Sequence, residues 1–396
     1  MVAYTHYMTD PRCRREAALA AGAGWEVDFY ALSPDGRGRT TRVEGVTLHQ
    51  LPMGRYRGGS AAAYLLSYLR FLLLASGAVL GRHLRRPFAI VHVNTMPDFM
   101  VLTALGPRLL GAKVLLDVHD VMPEIYMTKF GVPATHWKIR LIKAMEVASA
   151  RLAHHVLTAE HPKLELLARH GVPRDKLSVL LNLPDDRVFS LQCPLREPAL
   201  LVPGGPSPEA EFRLIYHGTV AHRLGLDQAI AAVAALAPRW PGLRLQIFGD
   251  GDQLPALHEQ ATKLGVADRV WFSDRFQPIE EIIPAIRSAH LAVIPTRPGP
   301  STDYMLPTKL LEYLSCGVPA LVTPTLTVHH YFGDTHPLFL DDPGGPNLAA
   351  RIVWARENYG EVTALARGLQ ESFFAEWNWS THKTGYLELL ERLLRP

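Results

Sequence analysis

Leu306-Pro-Thr-Lys-Leu-Leu-Glu-Tyr-Leu-Ser-Cys-Gly-Val-Pro-Ala-Leu-Val-Thr323 reads as a loop, a short helix, a glycine stop and a buried strand. Pro307 and Thr308 suit a helix start, where unpaired N–H groups can face an anion. Lys309 and Glu312 lie three apart and share one helical face. Gly317 suits the helix end, Pro319 prevents continuation, and Ala320–Thr323 follows as a buried strand. A cation beside a helix N-terminus, with a carboxylate one turn further in, fits a nucleotide diphosphate and its ribose. An ordinary αβ unit with a surface Lys–Glu pair has the same spacing, so the remainder of the chain has to discriminate.

Working outward, strand-like and helix-like runs alternate from end to end, which predicts parallel sheets covered by helices. In the first half the strands are expected at Val2–Tyr4, Glu26–Leu32, Val46–Leu51, Ile90–Asn94, Val114–Val118, Val156–Thr158 and Leu177–Leu181. Helices are expected at Arg14–Ala21, Ala61–Leu80, Phe99–Leu110, Trp137–Ala150 and Pro162–His170. Residues 186–211 turn rich in Pro, Gly, Ser and Glu and read as a linker. A second αβ run then places strands at Arg213–His217, Leu243–Phe248, Val270–Phe272, Leu291–Pro295 and Ala320–Val322. The expected division is an N-terminal Rossmann-like domain over 1–190, a linker over 191–211, a C-terminal Rossmann-like domain over 212–377, and an amphipathic helix in 378–396 that packs back toward the first domain. Ligands of such sheets sit beyond the carboxyl ends of the strands, here in the cleft expected between the two domains.

The 396 residues are nearly half apolar and one fifth charged, as in a soluble two-domain chain with ample core. Residues 1–90 hold twelve Arg, no Lys and six acids, a local excess of positive charge suited to an anionic membrane face or an anionic partner. An arginine-rich, merely solvated surface is the plainer explanation. No basic stripe with interleaved aromatics is present, which argues against nucleic acid. Cys13, Cys193 and Cys316 are odd in number and widely spaced, which fits a reducing cytoplasm rather than a disulfide framework or a zinc site. The N-terminus does not read as a signal peptide. Ala61–Leu80 is the one membrane-like run; Arg70 at mid-span counts against a transmembrane helix, so a core helix is expected, with a helix that also touches lipid as the alternative.

Several other loops carry candidate chemistry. His217-Gly-Thr219 follows a strand and leads to Arg223 before Gly225; glycine admits close backbone approach, and arginine neutralises phosphate. Gly249-Asp-Gly-Asp252 reads mainly as a tight turn with Asp252 capping the next helix; a metal–diphosphate role for the Asp pair is the lesser alternative. No His, Cys, Asp and Glu cluster elsewhere has metal spacing. His119 ends the strand of Asp117-Val-His-Asp120, placed to bond a sugar hydroxyl or move a proton, although a histidine there is commonly structural. Glu124 follows in a proline-containing turn. P-loop, nucleophile-elbow and Gly-x-Gly-x-x-Gly fingerprints are missing.

Taken together, Asp10–Ala17, Asp117–Glu124, Asn182–Asp185, Tyr216-His-Gly-Thr219 and Pro307–Leu314 with Gly317-Val-Pro319 resemble the retaining glycosyltransferases of family 4, of the GT-B fold. The subfamily resembled carries a Pro-Ser/Thr-Lys-x-x-Glu-Tyr motif. The resemblance implies two Rossmann-like domains, a nucleotide-diphosphate sugar (UDP-, GDP- or dTDP-linked) in the C-terminal one and a hydroxyl-bearing acceptor in the other. That acceptor is a glycan, a lipid-linked saccharide or a small molecule. Glu312 is implied to bind ribose, and Gly218 and Thr219 the diphosphate. Arg223 and Lys309 are implied to stabilise the departing diphosphate without metal or cofactor, and His119 to contact the transferred sugar. Leu306 and Thr308 complete the donor loop. The second family acid, eight residues before Glu312, is replaced by Tyr304, with Asp303 adjacent as a substitute, and Met305-Leu-Pro307 stands where the family has Gly-Phe-Gly. The implied activity is hexosyl transfer by a cytoplasmic enzyme, peripheral at the inner membrane face in one version. The rivals are an epimerase of the same fold and a non-catalytic partner.

Overall fold

The computed structural model describes residues 1–56, 61–185, 188–189, 211–333, 338–340 and 347–395. The chain divides into two compact units, one of Met1–Asn182 with Ser380–Pro396, the other Leu183–Trp379. The expected linker, apart from Glu211, lies outside the described residues.

The first unit has eight strands: β1 (Val2–Ala3), β2 (Asp28–Leu32), β3 (Arg39–Val43), β4 (Val46–Leu51), β5 (Ile90–Asn94), β6 (Lys113–Val118), β7 (His155–Thr158) and β8 (Leu177–Val179). Their order is β3-β4-β2-β1-β5-β6-β7-β8. Every pair is parallel except β3–β4. The chain moves from β1 to β2 on one side and later to β5 on the other, so the carboxyl ends of β1 and β5 form a switch point. β3 escapes a reading based on apolar runs because Arg-Thr-Thr-Arg-Val is a polar, exposed edge strand.

Helices here are α1 (Pro11–Gly22), α2 (Ala61–Arg85), α3 (Leu105–Leu109), α4 (Met122–Phe130), α5 (Trp137–Leu152) and α6 (His161–His170). Asp10 caps α1, accepting from the Cys13 N–H at 3.1 Å, with Pro11 in the first turn. The single helix expected at Phe99–Leu110 is a 3-10 helix over Asp98–Ala104 followed by α3. The expected turn around Glu124 is helix α4, because Pro123 falls in the first turn, where its missing N–H costs no bond.

The second unit has an all-parallel sheet of β9 (Phe212–His217), β10 (Leu243–Phe248), β11 (Val270–Phe272), β12 (Leu291–Ile294) and β13 (Ala320–Val322), in the order β11-β10-β9-β12-β13. β9, β12 and β13 are near-continuous buried apolar runs, as strands covered on both faces require, whereas edge strand β11 exposes Trp271 and β10 sets half-buried Arg244 and Gln246 between buried Leu243, Leu245 and Ile247. Its switch point lies at the carboxyl ends of β9 and β12. Its helices are α7 (Leu226–Leu236), α8 (Leu254–Lys263), α9 (Ile279–Ser288), α10 (Thr308–Ser315), α11 (Leu326–Phe332), α12 (Asn347–Glu357) and α13 (Tyr359–Glu376). Asp252 does not cap α8: the N-cap is Gln253, with no side-chain capping bond. The loop's glycines serve close approach instead, since a Cβ on Gly249 or Gly251 would stand 1.9 Å from the carbonyl oxygen of Gly218 or Val220. Helix α14 (Trp379–Leu394) follows, and its Tyr386 hydroxyl reaches His92 Nδ1 at 3.1 Å.

Candidate active site

The site in the second unit is built on the loops leaving β9 and β12. Gly218, at φ +116°, turns the chain sharply after β9. Its N–H donates to Phe248 O at 2.9 Å and the Val220 N–H to Asp250 O at 3.0 Å, which pins the loop to the end of β10. The Tyr216 hydroxyl donates to Thr219 O at 2.7 Å and accepts from Lys309 Nζ at 3.1 Å. The ammonium sits 4.6 Å from the Tyr216 ring centroid, and it approaches within 3.4 Å of the point a Cβ on Gly218 would take. A side chain at 218 would crowd the lysine.

Helix α10 begins after Pro307 with no side-chain cap, so the N–H groups of Thr308 and Lys309 have no intrahelical acceptor. Gly317, at φ +69°, closes it, and Val318 N–H returns to Tyr313 O at 2.9 Å. Glu312, one turn into the helix and 19% exposed, meets His217 Nε2 at 2.6 Å. The His217 ring is set by the buried Tyr313. That hydroxyl accepts from His217 N–H at 2.9 Å and lies 2.8 Å from Nδ1. The Glu312 carboxylate only accepts, so Nε2 is the ring nitrogen that donates to it. Sequence reasoning left His217, Tyr216 and Tyr313 out of the site, although each lies inside a motif it had marked.

Gly218, Lys309 and Glu312 thus lie in one cluster, with Thr219 exposed and Thr308 half-buried beside them. Leu306 is buried and fixes the loop. Arg223 lies on the same sheet edge, in a 3-10 turn (His222–Leu224), exposed and without side-chain contact to that cluster. The turn is clamped by Arg297, which bonds His222 O at 2.7 Å and the Asp227 carboxylate. Asp303 and Tyr304 occupy the half-buried turn Thr302–Tyr304 after β12. Burial pushes the Asp303 carboxyl up, and the Leu326 N–H at the start of α11 counters this.

His119 belongs to the first unit. Its Nε2 lies 3.0 Å from Asp117 Oδ2 and 3.1 Å from Asn94 Oδ1, at the ends of β6 and β5. Burial opposes its charge, but Asp117, by charge and hydrogen bond, outweighs this and raises the imidazole pKa. Asp117 is itself gripped by Arg12, with bonds of 2.7 and 2.8 Å, while Arg12 Nη1 donates to Leu180 O at 2.6 Å. Burial works against the Asp117 charge, but Arg12 and His119 hold its carboxyl well below the usual range. Glu16, 3.2 Å from Arg12, is pushed up to about 8 by burial and by Asp117. The fold gathers two sets that sequence spacing does not show, Glu16–His92–Asp117 and Asp10–Cys13–His119. Arg12 already neutralises the first set. Glu124 faces His170 inside the unit, at 3.5 Å, rather than a ligand.

Residues 10–182 match the model of a glycosyl transferase 4-like domain, and residues 211–357 that of glycosyl transferases group 1. The 2-deoxystreptamine glucosyltransferase of Streptomyces kanamyceticus is 26% identical over 274 residues, covering 68% of each chain. The exopolysaccharide phosphotransferase SCO2592 of Streptomyces coelicolor is 34% identical over 102 residues, but the match spans 26% of this chain and only 10% of that protein. Anabaena HepE, solved with UDP and glucose, superposes with a TM-score of 0.70 at 14% identity, covering 98% of both chains. With a glycosyltransferase domain matched in each half and two parallel-sheet units of this topology, the chain is a glycosyltransferase of the GT-B fold.

Proposed function

We propose that this enzyme moves a hexose from a nucleotide-diphosphate sugar to a hydroxyl group with retention of configuration and without a metal ion. The observation that carries the reading is the cluster at the switch point of the second unit: Lys309 held over Gly218, free N–H groups at the start of α10, and Glu312 fixed by His217. A pyrophosphate finds there a cation, backbone donors and a helix dipole of the right sign. A ribose finds an oriented carboxylate that accepts two hydroxyl protons. Arg223 supplies the second cation, and the two positive charges stabilise the leaving diphosphate as the glycosidic bond breaks. The departing phosphate oxygen takes the acceptor's proton on the face it leaves, which gives retention. The transferred sugar is assigned to His119, whose imidazole is already oriented by Asp117. UDP is the favoured nucleotide, since the HepE structure holds UDP.

The test is a thermal-shift screen of UDP, GDP and dTDP, followed by product analysis with the best donor. The reading expects one nucleotide diphosphate to raise Tm, activity to survive chelator, and the product anomer to match the donor. Unchanged turnover in both Arg223→Ala and Glu312→Ala overturns the site assignment. Donor consumption with no acceptor present replaces transfer by epimerisation.

A further inference from the structure

Helix α2 buries one stripe fully. Phe71, Ala75, Val79 and His83, four residues apart, are buried, and Phe71 meets Tyr4 edge-on at 5.3 Å. The opposite stripe is apolar and open to solvent: Leu66 is 68% exposed, Leu73 74% and Leu84 67%, with Leu69 between them. This corrects the expectation of a core helix, since a helix covered on one side is normally polar on the other. Helix α3 lies against α2 where Leu80 reaches the backbone of Gly106, and it exposes Leu105 and Leu109. The patch is therefore continuous over two helices, not a scatter of single residues.

The charge carried by α2 itself has one sign. Residues 61–85 contain Arg70, Arg82 and Arg85 and no Asp or Glu. Arg82 and Arg86 are paired with Glu26, but Arg70 and Arg85 are exposed with no carboxylate partner among the described residues. Although α2 is long and apolar enough to cross a bilayer, its packed stripe ties it to the sheet, so it lies flat. We propose that this face of α2 and α3 docks the enzyme on an anionic phospholipid surface, leucines inserted at the acyl boundary and arginines among the phosphates. A second copy of the chain would bring the same arginines together, which argues against self-association through this face. The inference does not depend on the donor assignment.

The test is flotation of the full chain with vesicles of phosphatidylcholine containing about one third phosphatidylglycerol, against pure phosphatidylcholine, at low and high salt. The wild type is expected to float with the anionic vesicles and less so at high salt. Leu66→Glu/Leu73→Glu is expected to lower partitioning at least about tenfold with Tm and the UDP thermal shift unchanged. If the double variant misfolds, Arg70→Gln/Arg85→Gln tests the charge term, and the wild-type comparison of the two vesicle types stands alone. A wild type that stays in solution with both vesicle types overturns the proposal, as does a double variant that floats equally well. So does light scattering that finds a dimer split by the leucine substitutions, the signature of a homotypic interface.

Discussion

Tyr313→Phe isolates the element that ties stability to the proposed donor site. The substitution keeps the ring and its edge-on contact with His217 at 4.8 Å and removes a single oxygen. That oxygen serves two bonds, from the backbone N–H of His217 at 2.9 Å and with its Nδ1 at 2.8 Å. Tyr313 is fully buried, so water does not replace it. A buried donor left unpaired costs about 1–3 kcal/mol. For a unit of this size each kcal/mol moves Tm by roughly 2–4 °C, which places the loss at about 2–12 °C. The second effect is on Glu312. Without the phenol, the imidazole loses its anchor at Nδ1 and can tilt, so the carboxylate loses its fixed partner part of the time. A weakening of about 0.5–1.5 kcal/mol raises the Kd for UDP roughly 2- to 13-fold. Differential scanning fluorimetry and titration calorimetry read the two effects separately. A Tm within about 1 °C of wild type refutes the buried-bond argument. A lowered Tm with unchanged UDP affinity refutes the claim that His217 orients Glu312 for the donor.

Asp117→Asn leaves the Arg12 guanidinium, only 4% exposed, without its bidentate partner, and urea denaturation is expected to show a loss of about 3–5 kcal/mol. The same variant lowers the titration midpoint of His119 seen by NMR; an unmoved midpoint means that Asp117 is not what raises it. His170 is pushed up to about 9: burial opposes its charge, but Glu124 and Glu146 outweigh burial. Its folded-state pKa lies above the unfolded value, so its stabilisation is complete below pH ~6.5 and lost as pH rises through about 9. The gap in unfolding free energy between wild type and His170→Gln should close over that window. Gly251→Ala places a Cβ 1.9 Å from Val220 O, a backbone atom that cannot swing away, so Tm and UDP affinity should fall together. Gly385→Ala, with nothing within 4 Å of the new Cβ, is the control that should not lose stability.

The sequence displays what is local. Leu243–Phe248, Val270–Phe272 and Ala320–Val322 are found at the expected limits; the last is the continuous apolar run of a strand buried on both faces, while the other two leave Arg244, Gln246 and Trp271 only partly covered. Polar β3 gives no such run. The start and stop of α10 were legible from Pro307 and Gly317, whose conformations are fixed by their own chemistry. Helix α2 shows the limit of composition: leucine on every side announces a helix but not which side is covered. Pairings between distant residues are the other blind spot. Arg12 meets Asp117 across 105 residues and His217 meets Glu312 across 95. Both partners of each pair stood in marked motifs, yet spacing carries no trace of their contact.

The two switch points treat their cations in opposite ways, and this separates their chemistry. At the end of β6, Arg12 is saturated by Asp117, Glu16 and Leu180 O, and what remains is a rigid carboxylate–imidazole pair. Burying that much charge is tolerable only because it is paired. Beyond β9, Lys309 is half-buried yet, among the described residues, meets only a phenol oxygen and the face of a ring. Glu312, one turn along the same helix, is committed to His217 at 2.6 Å. A lysine so placed, next to uncapped helix N–H groups, leaves positive potential in a partly desolvated site, where an anion gains more than it would in bulk water. Among the described residues, the first unit's switch point shows no such lysine. The proposed placement of the polyphosphate in the second unit rests on this asymmetry, and Thr219→Glu, which adds a carboxylate to the exposed loop after β9, is expected to weaken UDP binding sharply while leaving the fold intact.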